Sequence, residues 1–231
     1  MSMRKVVSLL ILGLAPSLVT AGAVDAQVTE HALESTDGLE LINVKAEVVE
    51  HEGRRGLRVG RADDYVEGGT LVLIAGSEFQ NGTIELELAG EPAADADPAM
   101  RGFVGIAFRV EPEDPNRYEC FYLRPTNARA DVQLRRNHST QYVSHPEFPW
   151  YRLREESPGV YESYVDLVPG AWTTLRIEVS GTQAQLYVNG AEQPTLIVND
   201  LRGAIASGQV GLWLHSSTLA HYRNLRIRPA E

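Results

Sequence analysis

The chain has 231 residues, 43% of them hydrophobic and 23% charged, with 31 acidic side chains against 21 basic ones and a formal net charge of -10. That carboxylate surplus argues against sequence-independent nucleic-acid binding and against electrostatic docking on anionic membranes, both of which need an excess of lysine and arginine. The single cysteine, Cys120, excludes an internal disulfide and a cysteine-rich zinc site, so stability has to come from a buried core.

In chain order, Arg4 and Lys5 precede an apolar run from Val6 to Leu14 and a small-residue stretch ending at Ala26. This is the three-part pattern of a secretory signal peptide, cut after Ala26 or at the second small-residue site Ala21-Gly22-Ala23. The expected mature protein is therefore residues 27–231, periplasmic or secreted, with no membrane insertion after cleavage. An oxidising compartment tolerates the lone thiol only if it is buried or otherwise inert.

From Leu41 onward polarity alternates with period two in short runs separated by Gly, Pro, Asn and Asp, and no stretch keeps a helical period. About ten to thirteen strands are predicted, in one all-β antiparallel sandwich domain. They cover Leu41 to Glu50, Arg55 to Arg61, Thr70 to Ala75, Thr83 to Ala89, Phe103 to Val110 and Tyr118 to Arg124. The later ones are Val160 to Leu167, Trp172 to Ser180, Gln183 to Val188, Thr195 to Val198, Gln209 to His215 and Ala220 to Arg228. Turns are expected at Asn81-Gly82, Ser180-Gly181-Thr182 and Asn189-Gly190. In Trp172 to Ser180, Leu175, Ile177 and Val179 share one face and Thr174, Arg176 and Glu178 the other, as a strand with one buried side requires.

Residues 125–159 break the pattern and read as a long insertion. It carries Arg135-Arg136-Asn137-His138, Ser144-His145-Pro146 and Pro149-Trp150-Tyr151-Arg152. Aromatic faces and arginine forks are what proteins use to stack on sugar rings and grip hydroxyls or carboxylates. The competing reading is a structural plug that pins the loop to the sandwich.

Among the acids, Glu162, Tyr164 and Asp166 are predicted to share a strand face, with Glu162 and Asp166 roughly 13 Å apart, too far for a glycosidase pair unless they converge. Glu85 and Glu87 read as a solvated strand face. His138 and His145 have no flanking acidic cluster, so a substrate-bonding or loop-stabilising role fits them better than a metal. No cofactor is expected. The acidic loops at Asp63-Asp64 and at Asp95 and Asp97 are the candidates for a structural calcium, although neither has the spacing of a calcium loop.

The C-terminal third carries a resemblance. Trp172-Thr173-Thr174-Leu175-Arg176-Ile177-Glu178-Val179, Ala184-Gln185-Leu186-Tyr187-Val188-Asn189-Gly190, Gly208-Gln209-Val210-Gly211-Leu212-Trp213 and Tyr222-Arg223-Asn224-Leu225-Arg226-Ile227 resemble the closing strands of the concanavalin A-like lectin/glucanase superfamily. These segments also resemble laminin-G-like modules and the exported 3-keto-disaccharide hydrolase domain. The resemblance implies a jelly roll of two curved antiparallel sheets that binds glycan on its concave face and rim loops. It also implies that Arg109, Glu119, Arg124, His138, His145, Trp150, Glu162 and His215 lie near the groove. On this reading Glu162 or Glu119 is the acid/base, His138 or His145 assists, and Arg109, Arg124, Arg135, Trp150, Tyr164 and His215 bind a carbohydrate ligand. The alternative is a noncatalytic protein-interaction module of the cell envelope.

Overall fold

The computed structural model describes residues 27–204 and 206–230; the expected leader lies outside them. The strands are β1 (Thr29–His31), β2 (Leu39–Ile42), β3 (Val44–His51), β4 (Arg54–Arg61), β5 (Leu71–Ile74), β6 (Gly82–Pro92), β7 (Val104–Val110) and β8 (Tyr118–Leu123). Two short helices, α1 (Pro125–Ala128) and α2 (Gln133–Arg136), lead to β9 (Thr140–His145), then α3 (Trp150–Glu156) and β10 (Glu162–Ser163). The chain closes with β11 (Thr173–Ser180), β12 (Gln183–Val188), β13 (Leu196–Val198), β14 (Gln209–Leu214) and β15 (Thr218–Pro229).

Two antiparallel sheets result. The first runs β13-β12-β11-β6-β15-β4-β3, with β1 also paired to β15, and the second runs β10-β9-β8-β7-β14-β5-β2. Side chains alternate across each strand, so Ile84, Leu86 and Leu88 of β6 and Leu175, Ile177 and Val179 of β11 turn inward and are buried. Val104, Ile106 and Phe108 of β7 meet them from the second sheet, with Phe121 and Tyr142 alongside. The sheets approach so closely at Gly90 that a Cβ there would stand 2.7 Å from the Cβ of Val104. Cys120 is fully buried and burial pushes its thiol well up, so it is held as the unreactive thiol.

Several expected boundaries shift for local reasons. The strand expected over Leu41 to Glu50 divides at Asn43, whose φ of 56° is left-handed and whose Nδ2 donates to the Gly69 carbonyl at 3.0 Å. One half joins each sheet. Glu52 and Gly53, both at positive φ, close the β3–β4 hairpin, and Gly181 at φ 59° closes β11–β12. By contrast, Asn189 and Gly190 open a longer loop to β13 instead of a tight hairpin.

The insertion contains regular structure of its own. β9 pairs with β8 over its full length and extends the second sheet, and β10 pairs with it in turn. The strand expected over Val160 to Leu167 shrinks to Glu162–Ser163, because the following chain is anchored by Ser139, whose Oγ donates to the Val165 carbonyl at 3.1 Å and accepts from the Val165 amide at 2.7 Å. No helix among the described residues is long and apolar enough to cross a membrane.

Candidate functional site

Strand register assembles the site. Across the outer face of the second sheet, Glu162 faces Gln141, Gln141 faces Tyr122, Tyr122 faces Gly105, and Gly105 faces Trp213. Gly105 is required at the centre of this row: a Cβ there would stand 2.6 Å from the Tyr122 Cβ and collide with the Phe121 carbonyl. With no side chain between them, the Tyr122 and Trp213 rings meet at 4.8 Å between centroids. Trp213 Nε1 donates to the Tyr118 hydroxyl at 2.9 Å, and Tyr118 stacks on His145 at 5.2 Å.

Arg124 follows β8 on the same side as Tyr122. Its Nη2 donates to the Tyr122 hydroxyl at 2.8 Å and to Gln141 Oε1 at 3.1 Å, while Nη1 donates to the His138 carbonyl at 3.1 Å. The guanidinium carbon lies 5.0 Å from the Tyr122 ring and 5.9 Å from both the Phe103 and Trp150 rings. Burial pushes the Tyr122 phenol up to about 12, against the pull of Arg124, so it stays protonated.

Glu162 is the focus of charge. Its side chain is 4% exposed, yet Arg154 of α3 grips it bidentately, Nη2 to Oε2 at 2.6 Å and Nε to Oε1 at 3.0 Å. His138 Nε2 stands 3.1 Å from Oε1, and Arg124 Nη1 is 3.9 Å from Oε2. Three cation-forming side chains thus surround one buried carboxylate, which keeps its burial tolerable. Burial lowers the His138 pKa, Arg154 and Arg124 lower it further and Glu162 opposes them, so the imidazole is neutral at neutral pH. Arg154 is in place because Leu153 is buried beneath α3 while Trp150 lies 4.8 Å from the Arg154 guanidinium. His138, Arg154 and Glu162 open onto a cleft of about 650 Å³, also lined by Leu134, Asn137 and Tyr164.

The structure therefore gathers Glu162, His138, Arg124 and Trp150 at one place and sets Tyr164 on the cleft wall. His215 borders the same face, 5.2 Å from Phe103, and His145 sits at the far end of the aromatic row. Arg135 donates from Nε to Asn127 Oδ1 at 3.3 Å, behind His138. Two expected site residues lie elsewhere. Glu119 points into the sandwich, where it accepts from the Tyr142 hydroxyl and, at 2.8 Å, from the Gly203 amide. Arg109, at φ 52°, binds the carbonyls of Gln80 at 2.8 Å and Gly181 at 2.8 Å and so ties loops at one end of the fold. Asp166 is exposed and held by Arg129, away from Glu162. On the first sheet, Glu87 is engaged by Arg54, Arg223 and Asn224 and its side chain is only 18% exposed, so it is a paired carboxylate and not a freely solvated one.

Sequence reasoning missed Arg154, Tyr118, Tyr122 and Trp213. The alternation Tyr118-x-Cys120-x-Tyr122-x-Arg124 carried the signal for the tyrosines, since period two places all four residues on one side. Nothing local marked Arg154. Asp63 pairs with Lys45 and Asp95 with Arg61, and among the described residues no group of three or more His, Cys, Asp or Glu is arranged to hold a metal.

Two stacked antiparallel sheets with this strand order make a lectin-like sandwich of the concanavalin A-like class. The carbohydrate-binding module CBM66 of Bacillus subtilis is similar in structure, with a TM-score of 0.54 at 15% identity, covering 82% of this chain and 94% of that one. A Bacillus subtilis protein of unknown function with a galectin-like fold gives 0.54 at 11% identity, covering 87% and 94%. The Crh5 transglycosylase in complex with NAG gives 0.52 at 14% identity, covering 90% and 86%. Residues 34–228 match the 3-keto-alpha-glucoside-1,2-lyase-like domain, and the chain belongs to that family. No curated protein matches the sequence.

Proposed function

We propose that this is an exported carbohydrate-processing domain that cleaves 3-keto-glucosides by elimination across C1 and C2. The observation that carries the reading is the Glu162–His138 pair, flanked by Arg154 and Arg124 and open to the cleft. Family membership supplies the substrate class, and the leader pattern of residues 1–26 supports export to the periplasm or medium.

The chemistry follows from the residues. A ketone at C3 acidifies the proton on C2, and a neutral imidazole is a suitable base for it near neutral pH. With its Nε2 proton held against Glu162, His138 keeps the Nδ1 lone pair for the substrate. The C2 proton passes to His138, the C2–H electron pair moves toward C3 and leaves an enolate on the C3 oxygen, and that pair then returns to form the C1–C2 double bond. The bond from C1 to the leaving oxygen breaks, and that oxygen departs as an alcohol by taking a proton from water, while the protonated His138 returns its proton to water. Arg154 and Arg124 supply positive charge for the enolate, while the partly exposed Trp213 ring, backed by the buried Tyr122, offers a stacking surface for the sugar. The test is turnover of methyl 3-keto-α-glucoside followed by NMR. Release of methanol by the wild type and its loss in His138→Ala, with folding intact, is expected. Equal turnover by the two proteins would remove His138 from the mechanism.

A noncatalytic role on the same face is the second reading. The CBM66 likeness in fold favours it, and it predicts glycan binding without turnover.

A further inference from the structure

Toward the second sheet, the Glu162–His138 pair is backed by Arg124, Gln141 and Tyr122, all buried. On its other side, where β10 ends the sheet, the pair opens onto the cleft of about 650 Å³. That volume falls within the roughly 300–1,000 Å³ of pockets that enclose drug-sized ligands, so one sugar ring does not fill it. Besides His138, Arg154 and Glu162, the cleft is lined by Leu134 and Tyr164, which are 65% and 41% exposed, and by Pro158 and Gly159. Leu134 and Pro158 have no hydrogen-bonding side chain, and a Cβ on Gly159 would meet nothing within 4 Å. Tyr164 is already engaged: Arg136 Nη2 donates to its hydroxyl at 3.1 Å, and the Arg136 guanidinium stands over its ring at 5.2 Å. The other polar side chains of the lining are Ser163 and Asn137, whose Oδ1 accepts from Gln133 Nε2 at 2.7 Å.

A second sugar in this part of the cleft would give up the hydration of several hydroxyls for few partners, whereas an aryl or alkyl group would bury the exposed surface of Leu134 and Tyr164. C1 adjoins C2, so the group leaving C1 lies in the same cleft when C2 meets His138. We propose that Leu134 and Tyr164 form an aglycone subsite, and that this domain prefers 3-keto-glucosides whose leaving group is an aryl-bearing or other apolar alcohol over those that release methanol or a second sugar. The inference rests on the elimination reading above and narrows its substrate class.

The experiment measures kcat/KM by NMR for three 3-keto-α-glucosides: the methyl glycoside, the benzyl glycoside and the one linked to O6 of a second glucose. Each releases an unactivated alcohol of similar acidity, so differences read how the leaving group is held and not how readily it departs. The benzyl glycoside is expected to exceed the other two by about tenfold, the scale of burying roughly half of an aromatic side chain. That preference is expected to fall severalfold in Leu134→Asn and in Tyr164→Ser, with melting curves confirming that each variant folds. Equal kcat/KM for all three, as an apolar rim reserved for a protein contact would give, overturns the aglycone subsite and leaves the elimination reading intact. So does a disaccharide that matches the benzyl glycoside, or a benzyl preference that neither substitution reduces. Turnover of none of the three overturns both.

Discussion

Replacing Glu162 by Gln tests both the packing and the chemistry of the site. Oε1 accepts from Arg154 Nε at 3.0 Å and faces His138 Nε2 at 3.1 Å, while Oε2 accepts from Arg154 Nη2 at 2.6 Å and faces Arg124 at 3.9 Å. An amide can present only one oxygen, so its NH₂ group must point at donors on the other side. Breaking a buried ion pair costs about 3–5 kcal/mol. Arg154 is 31% exposed and can recover water, which places this case at the low end, about 3 kcal/mol. For a domain of this size that is a fall of roughly 6–12 °C in melting temperature. The same change frees the His138 ring to rotate and removes its anchoring carboxylate, so turnover of a 3-keto-glucoside should drop by about 10²-fold or more. Differential scanning calorimetry and an NMR turnover assay read the two effects. A melting temperature within a degree of wild type, together with full turnover, would refute the claim that Glu162 organises this site.

Other consequences follow from the same geometry. Gly105→Ala should destabilise by about 3 kcal/mol or more, because the added methyl strikes the Phe121 carbonyl, and urea unfolding measures it. Trp213→Ala removes the ring that packs on Tyr122 and the donor to Tyr118, and should weaken sugar binding about tenfold in a calorimetric titration. His221 stacks on His51 at 3.7 Å with its Nδ1 buried and unbonded, and burial together with the neighbouring His51 and Arg58 lowers its pKa to about 4. The unfolded chain therefore takes up this proton first, and stability is lost as pH falls from about 6.5 toward 4, by at most about 3 kcal/mol. Melting temperatures across that range should flatten in His221→Phe.

Period-two alternation and glycine turns made most of the strands legible, because a half-buried strand writes its two faces directly into the sequence. Where the reading failed, tertiary contacts decided the outcome. β9 was absorbed into the insertion because Thr140–His145 is buried on both faces and shows no alternation of polarity. The break at Asn43 depended on a left-handed residue other than glycine, which the sequence does not announce. For the site, Glu162, His138 and Arg124 could be singled out as residue types suited to sugar chemistry, yet their meeting depends on β10 pairing with β9 and on the loop before β9. Glu119 and Arg109 looked equivalent to them in sequence. The inward side of β8 and the left-handed backbone at Arg109 send both to other duties.

The most direct test of the proposed function follows methyl 3-keto-α-glucoside in D₂O by proton NMR, with wild type and His138→Ala compared side by side. Abstraction at C2 by His138 predicts methanol release together with loss of the C2 proton signal in substrate or product, both abolished in the variant. Methanol release with the C2 proton retained in every species would contradict elimination, and unchanged release by the variant would contradict the role assigned to His138.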